Sequence, residues 1–366
     1  MTGKLLTMLA VGDLILEKPN GEFYLSPVAP MLRTGDVVVG NGEIVFTDRG
    51  IATYAEMYPS PGCPPANMAA LASAGFNVIT LASNHVYDRG APGIEDTVNG
   101  LHGYGIAVTG AGMNINEARL PAIIERDGTR FGFLSYNCVG APGQWATFDK
   151  PGCAYVQIIS HYETATNPGG TCDVYTFAEP RSLKAMQADV RKLRPLCDVL
   201  VVAFHKGVGS STKLAMYDQQ VSYAAIDAGA DLILGHHAHM LKGIENYRGK
   251  AIFHGLGQFV PVVAGLTDEQ IKERRISRPP NLSGVYNIQQ TSDQYLAMIA
   301  RFVIKDKKIS RMSYIPVLVN EQRQPEVVKH DDRGQQVFDF MEMLNKEEDL
   351  NTRYQWEGDE VAILLE

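Results

Sequence analysis

The histidines with the most informative spacing lie in the stretch GADLILGHHAHMLKG, residues 229–243. His236, His237 and His239 follow an apolar run that is long enough for one buried strand. In an extended backbone His237 and His239 project to one side, and His236 projects to the other. Two imidazoles on one side of a strand end form half of a metal site. Each histidine alone would be an ordinary loop residue, but the group predicts metal binding.

Polar side chains of the kinds that bind metals also follow other apolar runs. These side chains are Asp13, Asn41 and Glu43, Asn84 and His85, His205, and His254. In a wound α/β sheet the carboxyl ends of the strands lie along one edge, where ligands bind. Mixed imidazole, carboxylate and amide groups suit a borderline divalent ion such as zinc, manganese or iron. The set is large enough for one or two ions.

The composition is that of a globular protein, with 366 residues, 45% hydrophobic and 20% charged. This length allows one large domain with additions, or two domains. The net charge of -8 and the lack of Lys/Arg runs argue against nucleic acid as a partner. The five cysteines are widely spaced and form no CxxC pair, so a reducing cytosol fits best. No apolar run is long enough to span a membrane. We therefore expect a cytoplasmic protein without direct membrane insertion.

Short apolar runs alternate with helical patterns along most of the chain, which is typical of an α/β protein. The predicted strands cover residues 5–11, 36–40, 77–81, 106–109, 130–136, 198–204, 231–234, 250–254, 295–304, 309–319 and 360–365. The predicted helices cover residues 67–74, 93–104, 182–193, 214–228 and 335–344. Two segments rich in Gly or Pro, residues 47–65 and 140–172, show no clear periodicity, and we expect them to form loops over the site. Residues 264–284 are polar and predict a mobile segment.

The order of the motifs resembles the CapA family, whose members are often labelled capsule or poly-γ-glutamate biosynthesis proteins. The motifs are GD at 12–13, NxE at 41–43, SNHxxDxG at 83–90, H-x-G at 205–207 and GADLILGHHAHMLKGIE at 229–245. The family's sheet is similar to that of the calcineurin-like metallophosphoesterases. The resemblance implies a layered α/β sandwich with mixed sheets and a metal site at the carboxyl edge of the strands. Residues 1–265 would form its core, and a hairpin and helix within residues 285–366 would complete the same domain.

The resemblance also implies roles for single residues. The implied metal ligands are Asp13, Glu43, Asn84, His205, His237 and His239. His85 would act over the substrate as a general acid or electrostatic clamp, held by Asp88. Asp88 could equally be a turn residue or a helix N-cap. We expect Asn41, Arg89, His236 and Gln258 to contact the substrate.

Several positions depart from the patterns of the resembled families. Ile15 stands where metallophosphoesterases have the histidine of DxH, and Glu43 replaces a bridging Asp, which weakens the case for two-metal phosphoester chemistry. Lys206 and His254 stand where CapA-like sequences usually carry aromatic residues. Both are candidates for substrate specificity or for a second acid/base. Alternatively, Lys206 is a surface lysine and His254 a core histidine.

Three functions remain open at this point. The first is a metal-dependent hydrolase of an amide, peptide or γ-glutamyl-like bond in a small molecule or peptide, or less readily of a phosphoester. Lys206, Arg89 and Arg49 could hold an anionic group of its substrate. The second is a metal-dependent isomerase that uses His85, His254 and Lys206 to exchange a proton at a Cα next to a carbonyl. The third is a non-catalytic accessory protein of capsule assembly.

Overall fold

Two β-sheets lie face to face at the centre of the protein, in a computed structural model that describes residues 5–51, 62–164, 172–261 and 292–365. Apolar side chains from both sheets fill the space between them. Separate apolar clusters join the outer face of each sheet to helices. The layers therefore run helix, sheet, sheet, helix, and the layered α/β sandwich with mixed sheets is confirmed.

The larger sheet has ten strands. They are β1 (Leu6–Leu14), β2 (Val37–Gly42), β3 (Val78–Thr80), β4 (Ala107–Thr109), β15 (Gln258–Val260), β16 (Leu296–Lys305), β17 (Lys308–Val319), β18 (Pro325–Val327), β19 (Thr352–Glu357) and β20 (Glu360–Leu365). Their order is β19-β20-β17-β16-β1-β2-β3-β4, with β15 beside β1 and β18 beside β17. Strands β1 to β4 are parallel, and β16 and β17 extend the sheet as an antiparallel hairpin.

The smaller sheet has six strands. They are β6 (Ala122–Arg126), β7 (Thr129–Asn137), β11 (Val199–Lys206), β12 (Leu232–His237), β13 (Leu241–Tyr247) and β14 (Lys250–Leu256). Their order is β13-β14-β12-β11-β7-β6, with four parallel central strands and an antiparallel strand at each edge. Two further pairs are β5 (Ala111–Gly112) with β8 (Gly152–Cys153), and β9 (Ile158–Thr164) with β10 (Cys172–Ala178).

Helices cover the outer faces of both sheets, and the last helix packs against the apolar cluster between the sheets. They are α1 (Gly21–Leu25), α2 (Ala29–Leu32), α3 (Met68–Ala74), α4 (Gly90–Gly103), α5 (Ile115–Ala118), α6 (Pro180–Leu193), α7 (Met216–Ala228) and α8 (Asp332–Glu347). Helices α1 to α4 pack on the larger sheet, and α6 and α7 pack on the smaller one. In the described parts of the chain no helix is long and apolar enough to cross a membrane. The cytoplasmic location stays a prediction.

Alternation along β11 decides which functional groups share a face. Ala203 belongs to the core between the sheets, whereas Phe204 packs in the cluster beneath α6 and α7. Successive side chains of a strand point to opposite faces. His205 therefore projects toward the space between the sheets, and Lys206 projects toward α7.

A β-bulge in β1 turns Asp13 toward the other sheet. The register between β1 and β2 shifts by one residue between Ala10 and Asp13, and Asp13 is then paired with Asn41. One extra residue in a strand reverses the side to which the following side chains point. Gly12 lies inside this bulge, and a Cβ at that position would collide with the carbonyl oxygen of Gly257.

The structure corrects parts of the predicted organisation. The strand ends that carry ligand-type residues do not share one sheet: β1, β2 and β3 are in the larger sheet, and β11, β12 and β14 are in the smaller one. Residues 140–172 contain β8 and β9 and are not wholly irregular, and strands β6, β13 and β19 were not predicted. The predicted loop 47–65 and the polar segment 264–284 lie partly or wholly outside the described residues.

Candidate metal centre

Asp13 lies at the centre of a cluster of buried polar groups. Its Oδ1 atom is 3.4 Å from Nδ1 of His236, and its Oδ2 atom is 3.2 Å from Nδ1 of His239. The backbone N–H of His237 also donates to Oδ2 of Asp13 at 3.2 Å. The bulge of β1 and the end of β12 therefore bring a carboxylate of the larger sheet against the histidines of the smaller one.

Glu43 completes the carboxylate side of this cluster. Its Oε1 atom is 3.2 Å from Nε2 of His239 and 3.9 Å from Nε2 of His85. Asp13, Glu43 and His239 each offer a ligand atom, and these atoms all lie within 4.8 Å of one another. Two carboxylates and an imidazole at this separation are a ligand set that suits zinc, manganese or iron.

Asn84 and His205 form the opposite side of the cluster. Nε2 of His205 is 2.7 Å from Oδ1 of Asn84, and the rings of His205 and His237 have centroids 4.8 Å apart. Asn84 follows β3 of the larger sheet, and His205 is the next-to-last residue of β11 in the smaller one. All six ligands implied by the resemblance thus lie in one connected group of contacts.

Asn41 lies behind these ligands and holds them. Its Nδ2 atom donates to Oδ1 of Asp13 at 2.8 Å and is 3.4 Å from Nδ1 of His205. Its Oδ1 atom accepts a 3.0 Å hydrogen bond from Thr80. The Asn41 amide is buried and engaged by three side chains, so its position is that of a residue that orients ligands and not of one that contacts a substrate.

Several buried ligand atoms of this group form no hydrogen bond, although two of them lie 3.4 and 3.2 Å from Asp13. They are Oε2 of Glu43 and the Nδ1 atoms of His236, His237 and His239. Buried polar atoms in folded proteins are nearly always paired. Four unpaired atoms of metal-binding type around one carboxylate fit a site for a divalent cation, which would satisfy them.

Burial is the largest influence on the pKa values of Asp13, His205, His237 and His239. It lowers the pKa of His205 well below its usual value and that of His237 to about 3, so both imidazoles are neutral. Burial opposes ionisation of Asp13, but the adjacent His236 and His239 outweigh it and hold the pKa of that carboxyl well below its usual range. Glu43 and Asp13 likewise outweigh burial at His239 and raise its pKa well above the ordinary value.

His85 and Asp88 form a hydrogen-bonded pair at the edge of the cluster. Nδ1 of His85 is 2.7 Å from Oδ2 of Asp88, and the His85 side chain is 24% exposed. Burial lowers the pKa of His85, but Asp88 and Glu43 outweigh it, and the net direction is upward. The N-cap of α4 is Arg89, so Asp88 does not cap that helix. Its carboxylate instead holds the partly exposed imidazole of His85.

Lys206 and His254 lie in a different cluster, on the α7 face of the smaller sheet. Nζ of Lys206 donates to the carbonyl oxygen of Asp218 at 2.8 Å and is 3.0 Å from Nδ1 of His254. Burial lowers the pKa of Lys206 to about 8 and that of His254 to about 4. The structure therefore removes both residues from the predicted set of acids and bases at the metal site. Lys206 is not a surface lysine either, whereas His254 fits the alternative of a core histidine.

The structure gives the environment of Arg49 and of three predicted substrate contacts, whose role stays a prediction. Nε of Arg89 donates to the carbonyl oxygen of Arg49 at 3.2 Å, and the Arg49 guanidinium pairs with carboxylates of α4. Gln258 is buried beside Asp13 in the larger sheet. His236 is buried against Asp13 and belongs with the metal ligands.

The extended backbone assumed for the histidine stretch is the reason for the error at His236. His237 has a φ of 87° and His239 a φ of 54°. Both values are left-handed, so the chain turns after His236 and the alternation of an extended strand no longer applies. The turn brings His236, His237 and His239 around the same carboxylate, although the spacing alone predicted that His236 faces away.

Gln144 is a member of the site that the sequence did not indicate. It ends the short 3₁₀ helix Pro142–Gln144, and its Nε2 atom donates to the carbonyl oxygen of Asn84. Its Oε1 atom is buried without a hydrogen-bond partner. The segment that carries Gln144 has no periodicity, so no sequence signal places it near Asn84.

The family model described as "Bacterial capsule synthesis protein PGA_cap" matches residues 7–261. Capsule biosynthesis protein CapA of Bacillus anthracis is 28% identical over 265 residues, which are 70% of this chain and 59% of that protein. PGA biosynthesis protein CapA of Bacillus subtilis (strain 168) is 26% identical over 259 residues, with coverages of 68% and 62%. A probable polyglutamine synthesis accessory protein of Mycobacterium tuberculosis is 30% identical over 233 residues, with coverages of 63% and 54%. The matched part is thus less than two thirds of each relative's length.

Proposed function

Because the chain belongs to the family of bacterial capsule synthesis proteins described by the PGA_cap model, as its motifs predicted, we propose that it is a metal-dependent hydrolase. The bond that it cleaves is an amide, peptide or γ-glutamyl-like bond. Two relatives are named for capsule and PGA biosynthesis, which supports a substrate of this class.

The unpaired buried atoms around Asp13 are the observation that carries the proposal. Residues of both sheets would hold a divalent ion of zinc, manganese or iron. These residues are Asp13, Glu43, Asn84, His205, His236, His237 and His239. A divalent ion in such a site supplies Lewis-acid chemistry and activates water for attack on a carbonyl or phosphoryl centre.

His85 supplies the proton for the leaving group. Its Nδ1 atom is fixed by Asp88 at 2.7 Å, so its Nε2 atom is the one that faces the ligands, 3.9 Å from Glu43. A carboxylate behind an imidazole sets the tautomer and the orientation of the ring. A positioned acid of this kind contributes roughly 10²–10⁴-fold to a rate.

The position of the other acid/base candidates favours hydrolysis over isomerisation. Exchange of a proton at a Cα with inversion needs bases on two faces of the substrate. Lys206 and His254 were the candidates for the second base, and both are buried on the α7 side of the smaller sheet. Hydrolysis needs only the one acid that His85 provides.

A non-catalytic accessory role is the second candidate. The observation in its favour is the name of the M. tuberculosis relative, which describes an accessory protein. In that role the chain binds polymer or a partner protein of capsule assembly and has no catalytic activity. The two candidates differ in whether purified protein cleaves a γ-glutamyl bond.

Elemental analysis of protein purified without chelator or added metal tests the site first. We expect ~1–2 equivalents of zinc, manganese or iron per chain, lost in His239→Ala and retained in the exposed control Glu95→Gln. Cleavage of γ-glutamyl peptides, simple amides and phosphoesters is then compared between the wild type and His85→Gln. A wild type that neither carries nor takes up metal refutes the hydrolase. Bound metal without cleavage of any substrate supports the accessory role.

A further inference from the structure

Lys206 and His254 contact each other, although they are 48 residues apart in the sequence. Both depart from the pattern of the resembled family, and neither takes part in the proposed hydrolysis. We propose that Lys206, His254 and Glu245 form a positioning relay, which fixes His205 for metal binding. This role rests on the metal site proposed above. The three residues are called the lysine relay below.

All three N–H donors of the Lys206 ammonium group form hydrogen bonds inside the protein. Its Nζ atom donates to the carbonyl oxygen of Asp218 at 2.8 Å, to Oγ of Ser222 at 2.8 Å and to Nδ1 of His254 at 3.0 Å. The Ser222 hydroxyl donates to the carbonyl oxygen of Asp218 at 2.6 Å, so its oxygen accepts from Lys206. An ammonium group has three donors and no acceptor. Each donor has one acceptor here.

This arrangement dictates the tautomer of His254. Because the Lys206 ammonium cannot accept a hydrogen bond, Nδ1 of His254 must be the acceptor. The ring proton is therefore on Nε2, which donates to Oε2 of Glu245 at 2.8 Å. Oε1 of Glu245 accepts from the Tyr223 hydroxyl, and Gln219 donates to the same carboxylate at 3.2 Å. All hydrogen bonds of the relay run in one direction, from Lys206 to Glu245.

The lysine relay joins β11, which carries the metal ligand His205, to two other strands of the smaller sheet. Lys206 directly follows His205 in β11, His254 is in β14, and Glu245 is in β13. On the other side of Lys206, the N–H of Gly207 donates to the Tyr217 hydroxyl at 2.7 Å. Helix α7 and strands β13 and β14 thus clamp the strand end from which the His205 imidazole projects to the opposite face.

The lysine relay restricts movement of the backbone at the end of β11. The Lys206 side chain is fully buried, and His254 is 1% exposed. A buried charge is tolerated when its hydrogen bonds are satisfied, and loss of one partner forces the remaining groups to move. A change at Lys206 or His254 therefore displaces the backbone of His205, without contact between the changed side chain and the metal.

The visible absorption of Co²⁺ bound to the whole protein measures this displacement. We compare the wild type with Lys206→Met, His254→Phe and the control Asn345→Ala. Asn345 is also buried and hydrogen-bonded, but to Ile244 and Thr352 between β13 and β19. We expect the two relay variants to change the position and intensity of the Co²⁺ bands and to weaken Co²⁺ binding by roughly 10–100-fold. Asn345→Ala is expected to lower the stability and leave the bands unchanged.

Superposable spectra of Lys206→Met and the wild type would overturn the proposal, and so would an equal band shift in Asn345→Ala. If both relay variants fail to fold, ¹⁵N NMR of histidine-labelled wild type remains decisive. It must show His254 neutral with its proton on Nε2, and a proton on Nδ1 at neutral pH refutes the relay. A wild type that binds no Co²⁺ contradicts the proposed function instead, while the tautomer still tests the relay itself.

Discussion

Asn41 donates a 2.8 Å hydrogen bond to Oδ1 of Asp13, across neighbouring parallel strands of the larger sheet. The bond exists because the bulge of β1 turns Asp13 to the face that Asn41 occupies. Thr80, on the next strand, donates to the Asn41 amide oxygen at 3.0 Å and so fixes which end of the amide faces Asp13. A row of three polar side chains on three strands thereby leaves Oδ2 of Asp13 directed at His239.

Replacement of Asn41 by leucine is expected to weaken metal binding by roughly 10–100-fold, the usual cost of losing a residue that orients a metal ligand. The leucine keeps the volume and removes the donor to Asp13. Competition with a chromogenic chelator measures the affinity. Thr80→Val is the matched variant. It should also weaken metal binding, but by less than Asn41→Leu. Unchanged affinity in Asn41→Leu would mean that Asp13 is oriented by other contacts.

Replacement of Gly12 by alanine is expected to destabilise the protein by about 1–3 kcal/mol, the usual cost of an added methyl group in a packed interior. The new Cβ would meet the backbone carbonyl oxygens of Gly257 and Leu256, which cannot move aside as a flexible side chain could. Urea unfolding gives the free energy. Gly103→Ala is the control, because a Cβ there has no neighbour within 4 Å. Equal stabilities of the two variants would contradict the close approach.

His85→Gln is expected to lower kcat for the proposed hydrolysis by roughly 10²–10⁴-fold, while the metal content stays that of the wild type. The variant removes the proton donor and keeps a polar side chain of similar length. Asp88→Asn should lower kcat less, since it loosens the imidazole at 2.7 Å without removing it. Loss of metal in His85→Gln, seen by elemental analysis, would instead identify His85 as a ligand.

The stability of the folded chain is expected to fall below pH ~6.5 in part because of His254. Burial and the charge of Lys206 together lower its pKa from 6.5 to about 4, although Glu245 and Asp218 oppose the shift. Between these pH values the unfolded chain binds a proton that the folded chain does not, so the free energy of unfolding decreases as the pH decreases.

Urea unfolding of the wild type and of His254→Gln at several pH values measures this contribution. The glutamine does not titrate, so the wild type should lose up to ~1.4 kcal/mol more than the variant for each pH unit below ~6.5. The loss should level off near the folded pKa of about 4. Parallel pH profiles of the two proteins would show that His254 is protonated in the folded state.

The sequence predicted the strands that bring the ligands together, because buried parallel strands are apolar runs with polar residues at their ends. It did not predict the side to which Asp13 points, since the bulge at Gly12 depends on the approach of Gly257 from a distant part of the chain. Likewise, the sequence predicted that His236 faces away from His237 and His239, because the positive φ of His237 cannot be read from the spacing of the histidines.

The positions of Lys206 and His254 were predictable in part. Lys206 lies two residues after Phe204 in β11, and His254 lies two residues after Ile252 in β14. Phe204 and Ile252 both pack on the face that the helices cover. Alternation alone would have separated these two residues from His205. Gln144 was not predictable by any such rule, because its contact with Asn84 depends on how an aperiodic segment folds over the strand end.

The ligands of the candidate centre are divided between the two sheets, and this division makes the ion a cross-link of the sandwich. Asp13 lies in the larger sheet, and Glu43 and Asn84 follow its strands β2 and β3. His205, His236 and His237 lie in the smaller sheet, and His239 follows its strand β12. An ion bound to both would fasten the sheets at one rim, and the unfolded chain would have no comparable site. At 100 times its Kd such an ion adds about 2.7 kcal/mol to the free energy of unfolding. The melting temperature would then rise with the concentration of free metal. It would measure the occupancy of the site without any knowledge of the substrate.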